Sequence, residues 1–133
     1  MTGGAGTLLT TWPEVHAHLA VTFGGTTTSP DGALVVVVAT IPLEVRRIND
    51  SNWLKLTCVI GSLRHLSPTE LLATNDHGVI GAHCTRDGQL AIRQTLPFDA
   101  LHVHDLNETV RAIAQVAVAT RKRLHELTAQ APR

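Results

Sequence analysis

Two histidines separated by one residue, His102 and His104, are the first candidates for chemistry in this sequence. In an extended segment, side chains two positions apart project to the same side, so this pair could share one metal ion. A complete site needs further ligands, and His77, His83 or Cys84 would have to join the pair in space. No spacing in the sequence requires that. We therefore interpret His102 and His104 as loop histidines and expect neither a bound metal nor another cofactor.

The other reactive residue types also lack a catalytic arrangement. His16 and His18 fall in a predicted helix, where positions two apart point about 200° away from each other and cannot bind one ion. Cys58 and Cys84 lie in separate predicted strands, and a buried free cysteine usually behaves as a small hydrophobic residue. The sequence contains no G-x-S-x-G motif, and Ser67 is better explained as a helix cap. We expect no catalytic residue and no enzyme activity.

Charge gives no sign of nucleic-acid or membrane binding. Lysine plus arginine and aspartate plus glutamate balance at 11 each, which removes the general electrostatic argument for either partner. The one basic run, residues 121–123, lies near the end of a predicted helix, where cations interact favourably with the helix dipole. The start of the chain does not resemble a secretory signal, and the two cysteines form no disulfide pattern. We expect a cytoplasmic protein.

Hydrophobic patterns predict the elements that would position any site. The longest is a helix over residues 105–127, in which Leu106, Val110, Ile113, Ala117, Leu124 and Leu127 form one stripe. Capping boxes predict two earlier helices, one starting after Thr11 and one after Ser67. Strands are predicted over residues 33–41, 43–48, 53–60, 79–85 and 89–96, the last two joined by an Asp-Gly turn.

This order predicts an α+β fold with a single-layer antiparallel sheet of about five strands packed by helices, in the order α-β-β-β-α-β-β-α. We expect residues 1–10 to form a flexible tail, residues 11–127 a single domain, and residues 128–133 a second tail. The strand over residues 33–41 has four consecutive valines, 35–38, at its centre and is apolar on both faces, so both faces should be covered. The final helix can cover one of them. The other must meet the first helix, a second subunit or a bound ligand.

Three stretches carry a resemblance to a known family: residues 53–61 (WLKLTCVIG), residues 69–72 (TELL) and residues 81–97 (GAHCTRDGQLAIRQTLP). Together with the long final helix, they resemble the YbjN-like proteins, which are similar in turn to class I type III secretion chaperones. The resemblance extends from Thr11 to Leu127. It implies the α-β-β-β-α-β-β-α fold and the binding of peptide segments of partner proteins, often by a homodimer, without chemistry.

The expected function is therefore a non-enzymatic, chaperone-like or regulatory module that binds a peptide or protein. The apolar valine strand offers a surface for an extended partner. We place the candidate groove at Val15, Leu19, Val35 and Val37, although apolar residues at such spacing are also typical of an ordinary core. Two alternatives remain open at this point. The chain could be a structural subunit with a permanent homodimer interface, or a small metal-dependent hydrolase that uses its histidines.

Overall fold

The computed structural model describes residues 8–24, 26–62, 82–86, 88–98 and 101–130. Two helices and eight strands lie within these residues. In chain order they are β1 (Leu8–Leu9), α1 (Trp12–Phe23), β2 (Thr26–Thr28), β3 (Leu34–Val38), β4 (Ile41–Arg47), β5 (Trp53–Ser62), β6 (Ala82–Arg86), β7 (Gln89–Pro97), β8 (Leu101–His102) and α2 (Val103–Gln130).

The main sheet is antiparallel and has the strand order β2-β3-β4-β5-β7-β6. All five predicted strands are present, and the predicted α+β class is confirmed. A sixth strand, β2, was not predicted. It consists of three threonines without apolar alternation and is positioned by its antiparallel pairing with β3. The helix predicted to start after Ser67 lies outside the described residues.

Both described helices pack on the same face of the sheet. The residues that alternate towards this face, including Leu34 and Val36 on β3 and Leu54 and Leu56 on β5, form one buried cluster with both helices. Four of the six residues of the predicted stripe on α2, Leu106, Val110, Ile113 and Ala117, are fully buried. The final helix therefore covers the sheet as predicted. The first helix shares that face with it and does not cover the opposite one.

Helix α1 begins and ends where the sequence predicts. Thr11 caps it by accepting a hydrogen bond from the Glu14 amide at 3.3 Å. The Glu14 carboxylate accepts from the hydroxyls of Thr10 and Thr11, at 2.8 and 3.0 Å, and from the Thr10 amide. Gly24 ends the helix with a φ of 76°, a left-handed backbone that glycine adopts without a Cβ clash.

The turn between β3 and β4 differs from the prediction, which had the strand continue to Ile41 and break at Pro42. The chain reverses instead at Ala39 and Thr40, and Ile41 already pairs with Val38 as part of β4. Pro42 lies within β4 opposite Val37, next to the pair that flanks the turn. Hydrogen-bonded and non-bonded pairs alternate in an antiparallel ladder, so proline is tolerated at this position without its missing N–H.

The second half of α2 is attached to β5 at an irregular point of the sheet. The register between β5 and β7 shifts between Val59 and Gly61. The guanidinium of Arg121 donates to the Ile60 carbonyl at 3.3 Å and approaches the Val59 carbonyl at 3.5 Å. A Cβ at Gly61 would come within 3.3 Å of Leu124 Cδ1. Arg121 thus binds the strand, in addition to any dipole effect. It lies well before the end of α2, because the helix continues past Leu127 to Gln130.

A short strand forms inside the segment that the sequence assigns to the N-terminal tail. Leu8 and Leu9 of β1 pair with His102 and Leu101 of β8. Leu9 is buried in the same core as the helices. Burial of this leucine explains why an ordered strand precedes the Thr11 cap.

Candidate partner-binding surface

The four residues of the candidate groove lie in two different places. Val15 and Leu19 are fully buried on the inner side of α1, in the core under the helices. Val35 and Val37 alternate with the core residues of β3 and therefore project from the opposite face of the sheet. The structure does not bring the four together. Only Val37, with 44% of its surface exposed, is readily accessible to a partner.

The outer face around Val35 is largely polar. Val35 pairs with Glu44, and Glu44 pairs with Thr57 on the next strand. Arg46 donates to Asp31 at 2.7 Å and to Glu44 at 3.3 Å. These ionic groups interrupt the apolar surface that the valine strand begins. The outer face is thus a poor continuous groove for an apolar segment.

An accessible apolar depression lies on the other side, between the β3–β4 turn and the middle of α2. It has a volume of about 470 Å³ and is lined by Val38, Ala39, Arg111, Ala114, Gln115 and Val118. Val118 is 46% exposed although it lies within a helix that buries most of its apolar residues. The volume falls within the range of about 300 to 1,000 Å³ that is usual for ligand sites. We refer to these six residues as the turn–helix depression.

Arg111 forms the charged rim of the turn–helix depression. Its guanidinium carbon lies 5.6 Å from the centroid of the Phe23 ring, which places a cation over the ring at the end of α1. Arg111 Nη1 also lies 3.9 Å from Glu108 Oε1, and both side chains are more than half exposed. An ion pair this long and exposed contributes at most about 1 kcal/mol. The aromatic contact favours this position of the guanidinium, and the Arg111 side chain stays half exposed.

One wall of the depression is a turn with an unusual backbone. Ala39 and Thr40 have φ values of 50° and 66°. This left-handed region suits a two-residue hairpin but is unfavourable for residues with a Cβ, particularly for the β-branched threonine. The tight turn ends β3 directly beside α2, so that Val38 and Ala39 face the helix across the depression.

Contacts between the two helices keep the opposite wall in place. His18 and Asn107 are joined by a 2.8 Å hydrogen bond between the imidazole Nε2 and the amide Oδ1. Thr109 donates to the Asp105 carbonyl at 2.8 Å within the first turns of α2. The His18–Asn107 bond and the Arg111–Phe23 contact connect α1 to the helix that lines the depression, whereas the Thr109 bond lies within α2 itself.

The histidine pair considered for metal binding is split between two elements. His102 ends β8, whereas His104 lies in the first turn of α2, so they do not share one extended segment. Among the residues that the structure describes, no group of three or more histidine, cysteine or acidic side chains is placed to hold a metal ion. His77 and the side chains of His83 and Cys84 lie outside the described part of the chain.

Cys58 is a buried free thiol on the core face of β5. Burial raises its pKa from 9.0 to about 11, and the positive charge of Arg121 opposes this effect only in part. A thiol with such a pKa is almost entirely protonated near neutral pH and is a poor nucleophile. Its role here is that of a small apolar core residue, as the sequence predicts.

The turn–helix depression was missed in the sequence because its residues belong to no single motif. One signal was available. Val118 lies outside the apolar stripe of α2, next to Ala117, and a valine on the polar side of an amphipathic helix is typical of a contact surface. Val38 and Ala39 could not be connected to it without the position of the turn.

Neither described helix is both long and apolar enough to cross a membrane.

Comparisons with known proteins identify the fold and no family. No protein-family model matches the sequence. No curated protein sequence matches it either.

Solved structures do match, over most of the chain. A chain of the HopA1–SchA chaperone–effector complex superposes with a TM-score of 0.68 at 13% identity, covering 84% of this chain and 93% of the other. A chain of the ExsC–ExsE complex gives 0.68 at 12% identity, covering 86% and 96%. The structure of the Yersinia pestis type III secretion chaperone SycH with a fragment of YscM2 gives 0.63 at 15% identity, covering 82% and 98%.

These similarities show that the chain has the fold of type III secretion chaperones. The chaperone part of the predicted resemblance is confirmed at the level of fold. The YbjN-like part stays a prediction. At such low identity, the function of the neighbours is not established for this chain.

Proposed function

We propose that this chain is a non-enzymatic, chaperone-like module that binds a segment of a partner protein in the turn–helix depression. The observation that carries the proposal is the apolar depression lined by Val38, Ala39, Ala114 and Val118, of which Ala39 and Val118 are exposed, beside the Arg111 guanidinium. Apolar concave surfaces with a few polar groups are where proteins usually bind ligands and peptide anchors. The described part of the chain offers no competing arrangement of catalytic groups.

The similar solved structures support this proposal. The three structures described above are complexes in which two proteins are bound to each other. A fold that repeatedly holds a protein partner makes protein binding the function to test first. The depression is a better candidate for the contact than the groove placed at Val15, Leu19, Val35 and Val37, because two of those residues are inaccessible in the core.

Three exposed valines provide a matched test. Val118 lies in the depression, Val37 lies on the outer face of the sheet, and Val21 lies on the solvent side of α1 with 86% of its surface exposed. The substitutions Val118→Asp, Val37→Asp and Val21→Asp introduce the same carboxylate at each place. The immobilised wild-type chain and the three variants are incubated with extract of the native cells, and the captured proteins are quantified by mass spectrometry.

We expect a protein that is captured by the wild type, retained by Val21→Asp and Val37→Asp, and lost with Val118→Asp. Circular dichroism confirms that each variant is folded. Loss with Val37→Asp alone would place binding on the outer face and contradict the proposed location. Equal capture by all four chains would show that neither surface binds the partner specifically.

Homodimerisation and a cytoplasmic location remain predictions from the sequence. A stable dimer in sedimentation experiments at low concentration, combined with loss of the dimer in Val118→Asp, would favour the structural-subunit alternative. A monomer or a dimer unaffected by Val118→Asp leaves the depression available for a different protein.

A further inference from the structure

We propose that the turn–helix depression selects partner segments in which aliphatic side chains lie next to a carboxylate, and that Arg111 binds this carboxylate. The inference rests on the proposed function and adds the chemistry of the bound segment. It distinguishes an acidic, aliphatic segment from a purely apolar or a basic one.

The apolar part of the depression fits aliphatic side chains. Its apolar lining consists of two valines and two alanines, Val38, Val118, Ala39 and Ala114. These side chains are short, so they leave room above them for branched or longer aliphatic groups from a partner. Burial of such groups is favourable in proportion to the apolar area removed from water.

Arg111 is positioned to bind a carboxylate beside those groups. The Phe23 ring lies under the guanidinium, whose carbon is 5.6 Å from the ring centroid, and a contact with a ring face uses none of the guanidinium N–H groups as hydrogen-bond donors. Within the described residues its ion-pair contact is the one to Glu108, at 3.9 Å and half exposed. A planar guanidinium with free N–H groups matches the two oxygens of a carboxylate in a bidentate arrangement.

The surrounding charge on α2 also favours an acidic segment. Successive helix positions are about 100° apart, so Arg111, Gln115, Val118, Lys122 and His125 lie along one side of the helix. Of these five residues, Arg111 and Lys122 are permanent cations and none is acidic, and the Glu108 carboxylate flanks Arg111 at 3.9 Å. The whole chain has a net charge of zero at pH 7, so this row of two cations is a local feature, and the long, exposed contact with Glu108 offsets the charge of Arg111 only in part. A basic segment would meet repulsion here.

The test uses a phage-displayed library of random peptides selected on three folded proteins: the wild type, Arg111→Glu and the control Arg123→Glu. Arg123 is also exposed on α2 and pairs with Glu126 at 3.8 Å, but it does not line the depression. Both variants therefore make the same charge reversal on the same helix. Thermal unfolding of each protein verifies that it is folded before selection.

We expect wild-type and Arg123→Glu selections to be enriched in peptides that combine Asp or Glu with aliphatic residues. Arg111→Glu should lose this acidic enrichment and select Lys or Arg instead. For one enriched peptide, replacing its acidic residue by the corresponding amide should weaken binding to the wild type by about tenfold and leave binding to Arg111→Glu without such a loss. Arg111→Lys keeps the positive charge but lacks the planar guanidinium with its paired N–H donors. It should bind the acidic peptide less tightly than the wild type.

The same acidic enrichment on Arg111→Glu as on the wild type would overturn the inference, and so would enrichment of purely apolar peptides on all three proteins. In both cases the depression could still bind a partner, and the proposed function would stand. No enrichment above blank beads on any of the three proteins would count against peptide binding itself, and thus against the proposed function as well.

Discussion

The guanidinium of Arg111 lies over the ring of Phe23, with its central carbon 5.6 Å from the ring centroid. This contact connects the last residue of α1 to the first third of α2 at the edge of the turn–helix depression. A cation held over an aromatic ring loses less freedom when it binds a partner than a fully mobile arginine does. The contact therefore joins the two helices and restrains Arg111 at the rim of the depression.

The structure predicts very different losses of stability for substitutions at two residues that the sequence placed in one groove. Leu19→Ala should lower the free energy of unfolding by about 2 to 5 kcal/mol, because it empties a fully buried position. Val37→Ala should change it by about 0.5 kcal/mol or less, as is usual for an exposed site. Urea unfolding followed by circular dichroism measures both. Similar losses in the two variants would contradict the division of the groove between core and outer face.

The β3–β4 turn predicts a stabilising substitution. A residue with a Cβ destabilises the folded protein by about 1 to 2 kcal/mol when its backbone is in the left-handed region. Glycine removes this strain, but the greater freedom of glycine in the unfolded chain lowers stability by about 0.5 to 1 kcal/mol. Thr40→Gly, at a φ of 66°, should therefore raise the free energy of unfolding by up to about 1.5 kcal/mol. Thr27→Gly in the extended strand β2 is the control and should lower it. A loss of stability from Thr40→Gly would show that the turn is not strained.

Asp31 predicts a pH dependence of stability. Its pKa is lowered from 3.8 to about 2, first by the hydrogen bond from Ser29 and then by the one from Arg46. Because the folded-state pKa lies below the unfolded one, this stabilisation is complete above about pH 4 and is lost as the pH falls towards 2. The drop in urea midpoint between about pH 5 and about pH 2.5 should be smaller in Asp31→Asn than in the wild type. Ser29→Ala should give an intermediate drop. An unchanged drop in Asp31→Asn would rule out this contribution.

Cys58 predicts slow thiol labelling. Its pKa of about 11 leaves roughly one thiol in a thousand ionised at pH 8, and the side chain is buried in the core. In the Cys84→Ser variant, iodoacetamide should therefore modify Cys58 in the folded protein only as fast as local or global unfolding exposes the thiol. In denaturant the modification should be fast. Mass spectrometry over time measures the rate. Rapid modification of the folded protein would mean that β5 is accessible from the core side.

The strands and the enclosing helices were predictable because their signals are local. Alternation over Trp53 to Ile60 and the Asp-Gly pair before Gln89 both reflect backbone geometry within a few residues. β2 could not be predicted in this way, because its three threonines depend on the pairing with β3. The turn at Ala39 was also missed, since neither central residue is the glycine or asparagine that such turns favour.

The candidate site was less predictable, because it depends on which face of the sheet the helices cover. Val35 and Val36 are identical in type, yet Val36 is buried under the helices while Val35 lies on the outer face. Nothing local distinguishes them. Val118 carried a local signal, but its partners in the depression come from a turn almost 80 residues earlier in the chain, and that proximity is a property of the fold.

The affinity of the captured partner for the chain tests the central proposal most directly. Isothermal titration calorimetry, with the purified partner titrated into the wild type, Val118→Asp and Val21→Asp, gives the three dissociation constants. We expect Val118→Asp to weaken binding by about tenfold or more, because it places a carboxylate in apolar surface that the complex buries. Val21→Asp should bind like the wild type. Equal affinity for Val118→Asp and the wild type, in folded proteins, would contradict binding in the turn–helix depression.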